Sequence, residues 1–381
     1  MNKKINSFLA GILSFILMFF IWHKFLSSGN TIIFIMFFLI SFLFFKRVIE
    51  NEYKRKFIVT ITIAIIFSVI EIICGSINTD YTLRHVLNKW SILDFFGYLV
   101  LIWSTISFIY SVNIKENNKR KECRNHKIYQ LIFDSKDSFY INIILIVLSW
   151  MPYFLTYYPG ILTADSCVQI GQVLGVEKLT NHHPIVHTGI ISIFINFGKN
   201  IVGNINIGVS LYIIFQMIAM AVMFSEVLKY MNKKNVPYMV REICLLYYMF
   251  YPINALFSVI MWKDILFSGI VPVYIIFNIE LLYNTEEFFE NKKSIIKYIS
   301  VSLLVMFLRN NGLYVVLLTL PLILISLRKY LKKVVIIIIA IIVLYLTIKS
   351  AIFNVFNVKK RLCRRTAFDT VTTNRKGEKK S

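Results

Sequence analysis

The most chemically capable side chains lie between Tyr157 and Gly189, in the segment YYPGILTADSCVQIGQVLGVEKLTNHHPIVHTG. It contains Asp165 and three histidines, His182, His183 and His187. Carboxylates and imidazoles take up and release protons in catalysis and also bind metal ions. His183 and His187 are four residues apart, so one helical turn would place both rings on the same face. The segment is therefore the predicted catalytic loop.

Each of these residues has a structural interpretation as well as a catalytic one. Asp165 is either a general base or an N-cap or Asx-turn residue, since it follows a turn signal. His182 and His183 either orient Asp165, contact a phosphate or bind a divalent cation, or they bond only to backbone groups. If a divalent metal is bound, the predicted ligands are Asp165, His183 and His187.

Two further polar points interrupt the apolar chain, at MWKD and at LRNNG. Lys263 and Asp264 are predicted to bind substrate, or else to form a salt-bridged helix end where the helix dipole favours the acid. Arg309 and Asn310 are predicted to bind substrate as well, because the planar guanidinium suits phosphate oxygens. The alternative for Arg309 is a side chain that snorkels from a helix end towards water.

Composition sets the protein class. Of the 381 residues, 57% are hydrophobic and the mean hydropathy is +0.67, which indicates a polytopic membrane protein. The net charge of +22 comes from short Lys and Arg clusters between apolar runs, a pattern typical of contacts with lipid head groups and not of nucleic-acid binding. The five cysteines have no paired spacing, so neither disulfides nor a zinc knuckle are expected.

The predicted fold is an all-α, polytopic bundle of membrane helices. Because a span needs roughly 20 apolar residues, we predict about eleven, near residues 5–26, 31–49, 57–74, 92–112, 139–157, 204–228, 238–258, 265–283, 295–308, 312–327 and 334–353. The alternation of basic loops places the N-terminus in the cytoplasm. A composition rich in Ile, Lys, Asn and Phe suggests an AT-rich bacterial genome, and hence the bacterial plasma membrane.

The same alternation places loop 158–203 outside the cell, provided that the apolar run 184–197 does not cross the membrane. That run has about 14 residues and contains His187 and Asn196, so we predict a helix lying at the outer interface. The MWKD and LRNNG points then fall on the same side as the loop. We therefore expect all three polar points to converge into one extracytoplasmic site.

Three regions are predicted along the chain. Residues 1–138 comprise the first spans and a basic loop, 113–138, that is interpreted as a solvated linker without chemistry. Residues 139–358 form a membrane core that carries the site. Residues 359–381 form a polar, basic tail with no apolar periodicity, predicted to be disordered and interpreted as a truncated or frame-shifted end.

The landmarks PG…ADS, HHP, WKD and LRNNG, over roughly residues 140–330, resemble those of the C-type multi-spanning glycosyltransferases. The closest resemblance is to a bacterial branch without assigned function. In that superfamily an acid follows a span in the first large outer loop, a His-Pro element opens an interfacial helix, and a second acid often follows. Asp165, His182-His183-Pro184 and Asp264 occupy those places. Ser166 stands where many protein-mannosylating members have a further acid, so the likeness does not indicate a protein acceptor.

The resemblance implies transfer of a hexosyl or pentosyl group from a polyprenyl-phosphate donor to an extracytoplasmic acceptor, which is a cell-envelope glycan, a lipid or a protein. Asp165, His182 and His183 would then be catalytic, and the expected partners are the lipid-linked donor and membrane lipids. The alternative is a polytopic transporter or lipid flippase. That class predicts inverted repeats, broken helices and ionisable groups near the membrane midplane.

Overall fold

A computed structural model describes residues 3–25, 31–50, 54–80, 86, 88–111 and 129–355. These residues are almost entirely helical, with one sheet of two very short strands. Within the described residues, eight helices are long and apolar enough to cross a membrane. Large apolar side chains also remain exposed on their outer faces, such as Ile144 and Leu148. The predicted all-α membrane bundle is confirmed, and the chain is a multi-pass membrane protein.

The described residues fall into two compact units, the first within Met1–Asn117 and the second within Asn118–Ser381. The described residues of the first unit form four helices, α1 (Lys3–Phe25), α2 (Thr31–Glu50), α3 (Lys54–Asp80) and α4 (Lys89–Ser111). Buried residues such as Phe20, Phe45 and Trp103 form its small apolar clusters. An ion pair of 2.9 Å between Lys24 Nζ and Asp94 Oδ2 joins α1 to α4.

The second unit contains the remaining elements and one large apolar core. A π-helical turn, Gln130–Asp134, precedes its first long helix. The elements that follow are α5 (Ser138–Thr156), β1 (Ile161–Leu162), α6 (Ala164–Val173), α7 (Ile185–Phe197), α8 (Ile205–Lys233), α9 (Tyr238–Phe250), α10 (Pro252–Ser258), β2 (Ile260–Met261), α11 (Lys263–Tyr283), α12 (Thr285–Glu290), α13 (Lys292–Leu308), α14 (Gly312–Ser326) and α15 (Leu331–Val355).

Helix α8 lies at the centre of this unit. It has 29 residues, and 56% of its most apolar window is buried, the largest share among the candidate spans. Tyr212, Ile213 and Met217 on α8 are fully or almost fully buried. A helix buried on most sides needs no polar face, which is why α8 is apolar around its whole circumference. The few polar residues that α8 does bury are therefore informative.

The spans differ from the predicted set at several points. Three of the eleven predicted spans, near 238–258, 295–308 and 312–327, are not among the eight candidates, and Ile185–Val202 is. Helix α2 forms over the predicted span 31–49. The apolar run 238–258 is divided into α9 and α10 because Pro252 cannot donate the next helical hydrogen bond. Helix α7 continues through a π-helical turn, Gly198–Val202, and the two together form a candidate span that is longer than the interfacial helix that was predicted. The placement of residues 158–203 outside the cell, which required that this run does not cross the membrane, therefore stays a prediction.

The interpretation of residues 113–138 as a solvated linker is wrong for the part that the structure describes. Phe133 is buried, and its carbonyl oxygen accepts a hydrogen bond of 2.6 Å from Asn232 Nδ2. Asp134 pairs with Arg241 of α9. Short-range composition could not show that these residues pack against helices a hundred positions later. Residues 112–128 lie outside the described residues, as does the predicted tail 359–381.

Candidate functional site

A short parallel sheet brings two helix N-termini side by side. Strand β1 pairs with β2 in the register Ile161 to Ile260 and Leu162 to Met261. Each strand leads within two residues into a helix, β1 into α6 and β2 into α11. Carboxyl ends of parallel strands meet at the same edge of a sheet. The first turns of α6 and α11 are therefore neighbours, although they are about a hundred residues apart in sequence.

The turn before β1 depends on glycine. Gly160 has a φ of +135°, a conformation that residues with a Cβ rarely adopt. A Cβ at this position would also lie 2.5 Å from Cγ1 of Ile213 on α8. The Pro159-Gly160 turn signal thus has a specific purpose: it directs the chain from α5 into β1, and so sets where the Asp165 helix begins.

Thr163, and not Asp165, is the N-cap of α6. Its side chain accepts a hydrogen bond from the backbone N–H of Ser166, and the Ser166 hydroxyl accepts one from the backbone N–H of Thr163, forming a capping box. Ser166 Oγ also donates to the Met261 carbonyl at 2.6 Å, which ties α6 to β2. The N-cap alternative for Asp165 is therefore wrong, and its carboxylate is available for other contacts.

Asp165 contacts two cationic or titratable groups from other segments. Lys263 Nζ donates a short hydrogen bond to Asp165 Oδ2, and His183 Nδ1 lies 3.9 Å from the same oxygen. Hydrogen bonding to Lys263, aided by the charges of Lys263 and His183, lowers the pKa of Asp165 below its usual value. The Asp165 side chain remains 37% exposed, whereas His183 is 1% exposed. The carboxylate is thus ionised at neutral pH and reachable from solvent.

A second ion pair stands beside the first along α11. Arg309 Nε lies 3.2 Å from Asp264 Oδ1, and the guanidinium sits over the Phe267 ring, 5.4 Å from its centroid. The prediction of a salt-bridged helix end is therefore right about the position of the two residues and wrong about their partners. Lys263 and Asp264 are both in the first turn of α11, but each is paired with a residue of another segment.

Asn310 connects the LRNNG corner to the histidine loop. Its Nδ2 donates to the carbonyl oxygens of Asn181 and His182 at 3.2 and 3.3 Å. The corner is tight at Gly312, where a Cβ would lie 1.9 Å from the Val305 carbonyl oxygen. His182 itself is exposed, and its ring centroid is 4.5 Å from that of His183. The three predicted polar points thus meet in one place.

His187 is the exception among the predicted site residues. It is fully buried, its Nδ1 lies 3.0 Å from Gln169 Nε2, and its Nε2 lies 2.8 Å from Tyr212 Oη. Both ring nitrogens are therefore used inside the protein. The predicted ligand set of Asp165, His183 and His187 is not assembled, and in the part of the chain that the structure describes no three His, Cys, Asp or Glu side chains are placed to hold a metal.

The contacts of His187 belong to a buried hydrogen-bond chain. Tyr212 Oη donates to Gln216 Oε1 at 3.1 Å, and Gln216 Nε2 donates to the carbonyl oxygens of Ser258 and Ile260 at 2.9 and 2.8 Å. Continuous donation in this direction requires that His187 carries a proton on Nε2, while its Nδ1 lies within 3.2 Å of both the nitrogen and the oxygen of the Gln169 amide. The chain links α6 and α7, through α8, to the segment that precedes Lys263. It supports both sides of the Asp165–Lys263 contact.

Gln169, Tyr212 and Gln216 were missed at the level of sequence. Gln216 stands within a long apolar span, and a polar side chain there needs a partner, because an unsatisfied buried amide is costly. The position of Gln216 in that span was the signal from which its buried role could have been predicted. Gln169 follows Asp165 by four residues, so the same face of α6 carries the partly exposed acid and the buried amide.

The comparisons with known proteins reach only part of this site. Residues 175–356 match the model of a family of unknown function, DUF6020. The match, just under half of the chain, includes the histidines, Lys263, Asp264 and Arg309, but begins after Asp165. No curated protein and no solved structure matches the chain.

Proposed function

We propose that this protein is a membrane glycosyltransferase that moves a sugar from a polyprenyl-phosphate donor to an acceptor at the outer face of the bacterial plasma membrane. The observation that carries the proposal is the contact between Asp165 and Lys263 at the paired N-termini of α6 and α11. An accessible carboxylate beside an ammonium group is what transfer from a lipid phosphate requires. The N-terminus is placed in the cytoplasm by the distribution of basic loops.

In the proposed reaction, Asp165 takes the proton of the acceptor hydroxyl. The acceptor oxygen forms a bond to the anomeric carbon as the bond from that carbon to the phosphate oxygen breaks. The lipid phosphate leaves with the electron pair, and Lys263 and Arg309 stabilise its charge. Asp264 pairs with the Arg309 guanidinium, and His183 Nδ1 lies 3.9 Å from the Asp165 carboxylate, whose ionised form it favours.

The lowered pKa of Asp165 leads us to expect a fixed order of substrate binding. A carboxylate in contact with Lys263 is a weak base, because the ammonium group stabilises its ionised form. If a donor phosphate draws Lys263 towards itself, that stabilisation weakens and the basicity of Asp165 rises. The site would then become a competent base only when donor is bound. Donor binding is expected to precede productive acceptor binding.

A transporter or lipid flippase is the second candidate. The observation in its favour is the break between α9 and α10 at Pro252, because discontinuous helices line the substrate sites of many transporters. The acids of the site are, however, at the first turns of α6 and α11, close to helix ends. That position suits catalysis at a membrane surface better than passage through the midplane.

The test is turnover of labelled polyprenyl-phosphate sugars by the purified full chain in detergent, with a panel of donors and acceptors. Asp165→Asn is expected to lower release of lipid phosphate by at least about 100-fold, because the base is lost. Asp137→Asn is the matched control, since Asp137 is an exposed aspartate at the start of α5 and makes no side-chain capping bond. It is expected to keep full turnover.

Full turnover by Asp165→Asn would overturn the assignment of the base. Absence of turnover by the wild-type protein with every donor and acceptor, together with uptake or flipping of lipid in vesicles, would favour the transporter alternative. Equal loss in Asp165→Asn and Asp137→Asn would show that loss of an acid anywhere disturbs the protein.

A further inference from the structure

A cleft lies next to the candidate site, between the histidine loop and the end of α15. Its volume is about 280 Å³. It is bounded by the start of α7, the end of α13, the start of α14 and the last turns of α15. Asn181 and Asn310, which hydrogen-bond to each other across the site, also line it. Most of the remaining wall is apolar and includes Ile185, Met306, Phe307, Leu313, Ile352 and Phe353.

Lys349 is the only charged residue that lines this cleft in the part of the chain that the structure describes. It belongs to α15, where no other charged residue occurs from Val334 to Val355. An ionisable residue within an apolar span is costly unless it has a partner or a ligand. The cleft therefore combines an apolar wall, two amides and one positive charge, and no acid is among the described residues that line it.

The Lys349 side chain contacts Tyr345, one turn earlier in α15. Its Nζ donates to Tyr345 Oη at 3.1 Å and lies 5.2 Å from the centre of the Tyr345 ring. Tyr345 also lines the cleft. The charge is thus held beside the cleft by a neighbouring side chain.

We infer that this cleft binds an anionic phospholipid of the surrounding bilayer. The phosphodiester, which carries one negative charge, binds Lys349. The polar part of the glycerol backbone lies near Asn181 and Asn310. The beginning of an acyl chain lies against Ile352 and Phe353. One cation without a neighbouring acid matches one phosphodiester in charge.

The same geometry argues against the cleft as the position of a sugar donor's phosphate. That phosphate must stand beside the reacting carbon, and therefore beside Asp165 and its cationic partners. Asp165, Lys263, Asp264 and Arg309 are not among the residues that line the cleft. The phospholipid is thus a separate ligand, which contacts the site only through Asn181 and Asn310. This inference does not require that the protein transfers sugars.

The experiment is a lipid titration of the purified full chain, with bound lipid counted by native mass spectrometry. Phosphatidylglycerol and phosphatidylcholine with the same acyl chains are compared. Lys349→Met is expected to weaken phosphatidylglycerol binding about fivefold, because one lysine at a membrane surface contributes roughly that factor. Binding of phosphatidylcholine, which has no net charge, is expected to stay unchanged. Ile352→Trp, which fills the apolar part of the cleft, is expected to weaken both lipids.

Lys332→Met is the matched control, because Lys332 is an exposed lysine on the same helix that does not line the cleft. It is expected to retain wild-type binding of both lipids. Unchanged phosphatidylglycerol binding in Lys349→Met, or an equal loss in Lys332→Met, would overturn the inference. Displacement of one phosphatidylglycerol by one polyprenyl phosphate in the wild-type protein, but not in Lys349→Met, would assign the cleft to the lipid-linked substrate instead. Thermal unfolding of each variant identifies any loss that comes from misfolding.

Discussion

Two clusters in the second unit join an aspartate to a cation from a distant segment, and they differ in how far the pair is sealed. In the first, Asp165 and Lys263 stand at the N-termini of α6 and α11 and remain accessible to solvent. In the second, Asp134 and Arg241 join the π-helical turn to α9, with Arg241 Nη1 3.4 Å from Asp134 Oδ1. The two acids are similarly exposed, 37% for Asp165 and 31% for Asp134, but Arg241 is buried and both oxygens of Asp134 are bonded within its cluster. In this sense the second cluster is sealed and the first is not.

The contacts of Arg241 explain the difference. Its Nη1 donates to Asn232 Oδ1 at 2.7 Å, and its guanidinium lies 4.3 Å from the centre of the Tyr238 ring. Tyr238 Oη in turn donates to the other oxygen of Asp134. The Arg241 side chain is only 5% exposed. Stacking on Tyr238 and the hydrogen bonds of Nη1 fix the buried guanidinium, so the role of this cluster is to hold residues 129–138 against α8 and α9.

The largest expected effect separates the two clusters by stability. Arg241→Met removes a buried guanidinium that hydrogen-bonds to Asn232 and stacks on Tyr238, so we expect a loss of about 3 kcal/mol in the free energy of unfolding. Lys263→Met, at a more exposed pair, is expected to cost no more than about 1 kcal/mol. Chemical denaturation in detergent measures both. Equal losses of unfolding free energy in the two variants would mean that the two ion pairs contribute equally to stability.

The second effect separates the clusters by activity. If the proposed function is right, Lys263→Met removes a cation from the leaving phosphate, and we expect turnover to fall by about 10²–10³-fold. Arg241→Met should retain wild-type turnover per folded molecule, because Arg241 lies in the sealed cluster. The ratio of kcat values, corrected for the folded fraction, is the measurement. A sharper loss in Arg241→Met than in Lys263→Met would contradict the division between the clusters.

The smallest effect is the pH dependence of the exposed pair. The pKa of Asp165 is lower in the folded protein than its unfolded value of about 3.9, chiefly because of Lys263. The pair therefore stabilises the protein fully above about pH 5, and this contribution is lost as the pH falls through the lowered pKa. The difference in thermal midpoint between wild type and Lys263→Met should shrink below about pH 4. A difference that stays constant down to pH 2 would show that the Asp165 carboxylate is not its source.

The candidate site was largely foreseeable as a set of residue types. The apolar sequence is interrupted by Asp165, His183, Lys263 and Arg309. Charged groups persist in such segments only where they have partners or a function. Their pairing was not foreseeable. Lys263 meets Asp165, and Asp264 meets Arg309, because the two-residue strands β1 and β2 align two helix starts. Strands of that length carry no periodic signal.

His187 shows what the spacing of residues in the sequence could not predict. Its spacing from His183 is correct for a shared helical face, yet its ring is enclosed by Gln169 and Tyr212. A histidine's role depends on which groups surround both nitrogens, and those groups come from α6 and α8. Spacing within one helix contains no information about them.

The sequence by itself determined the class of this protein. Long apolar runs must be helical in a membrane, because backbone groups have no water to bond to, and this sufficed to predict an all-α multi-pass bundle. Only the tertiary structure decided which polar residues are exposed, which are sealed, and that Pro252 divides one apparent span. Hydrophobicity is a sum over local residues, whereas the partner of a charge is chosen by contacts between segments far apart in the chain.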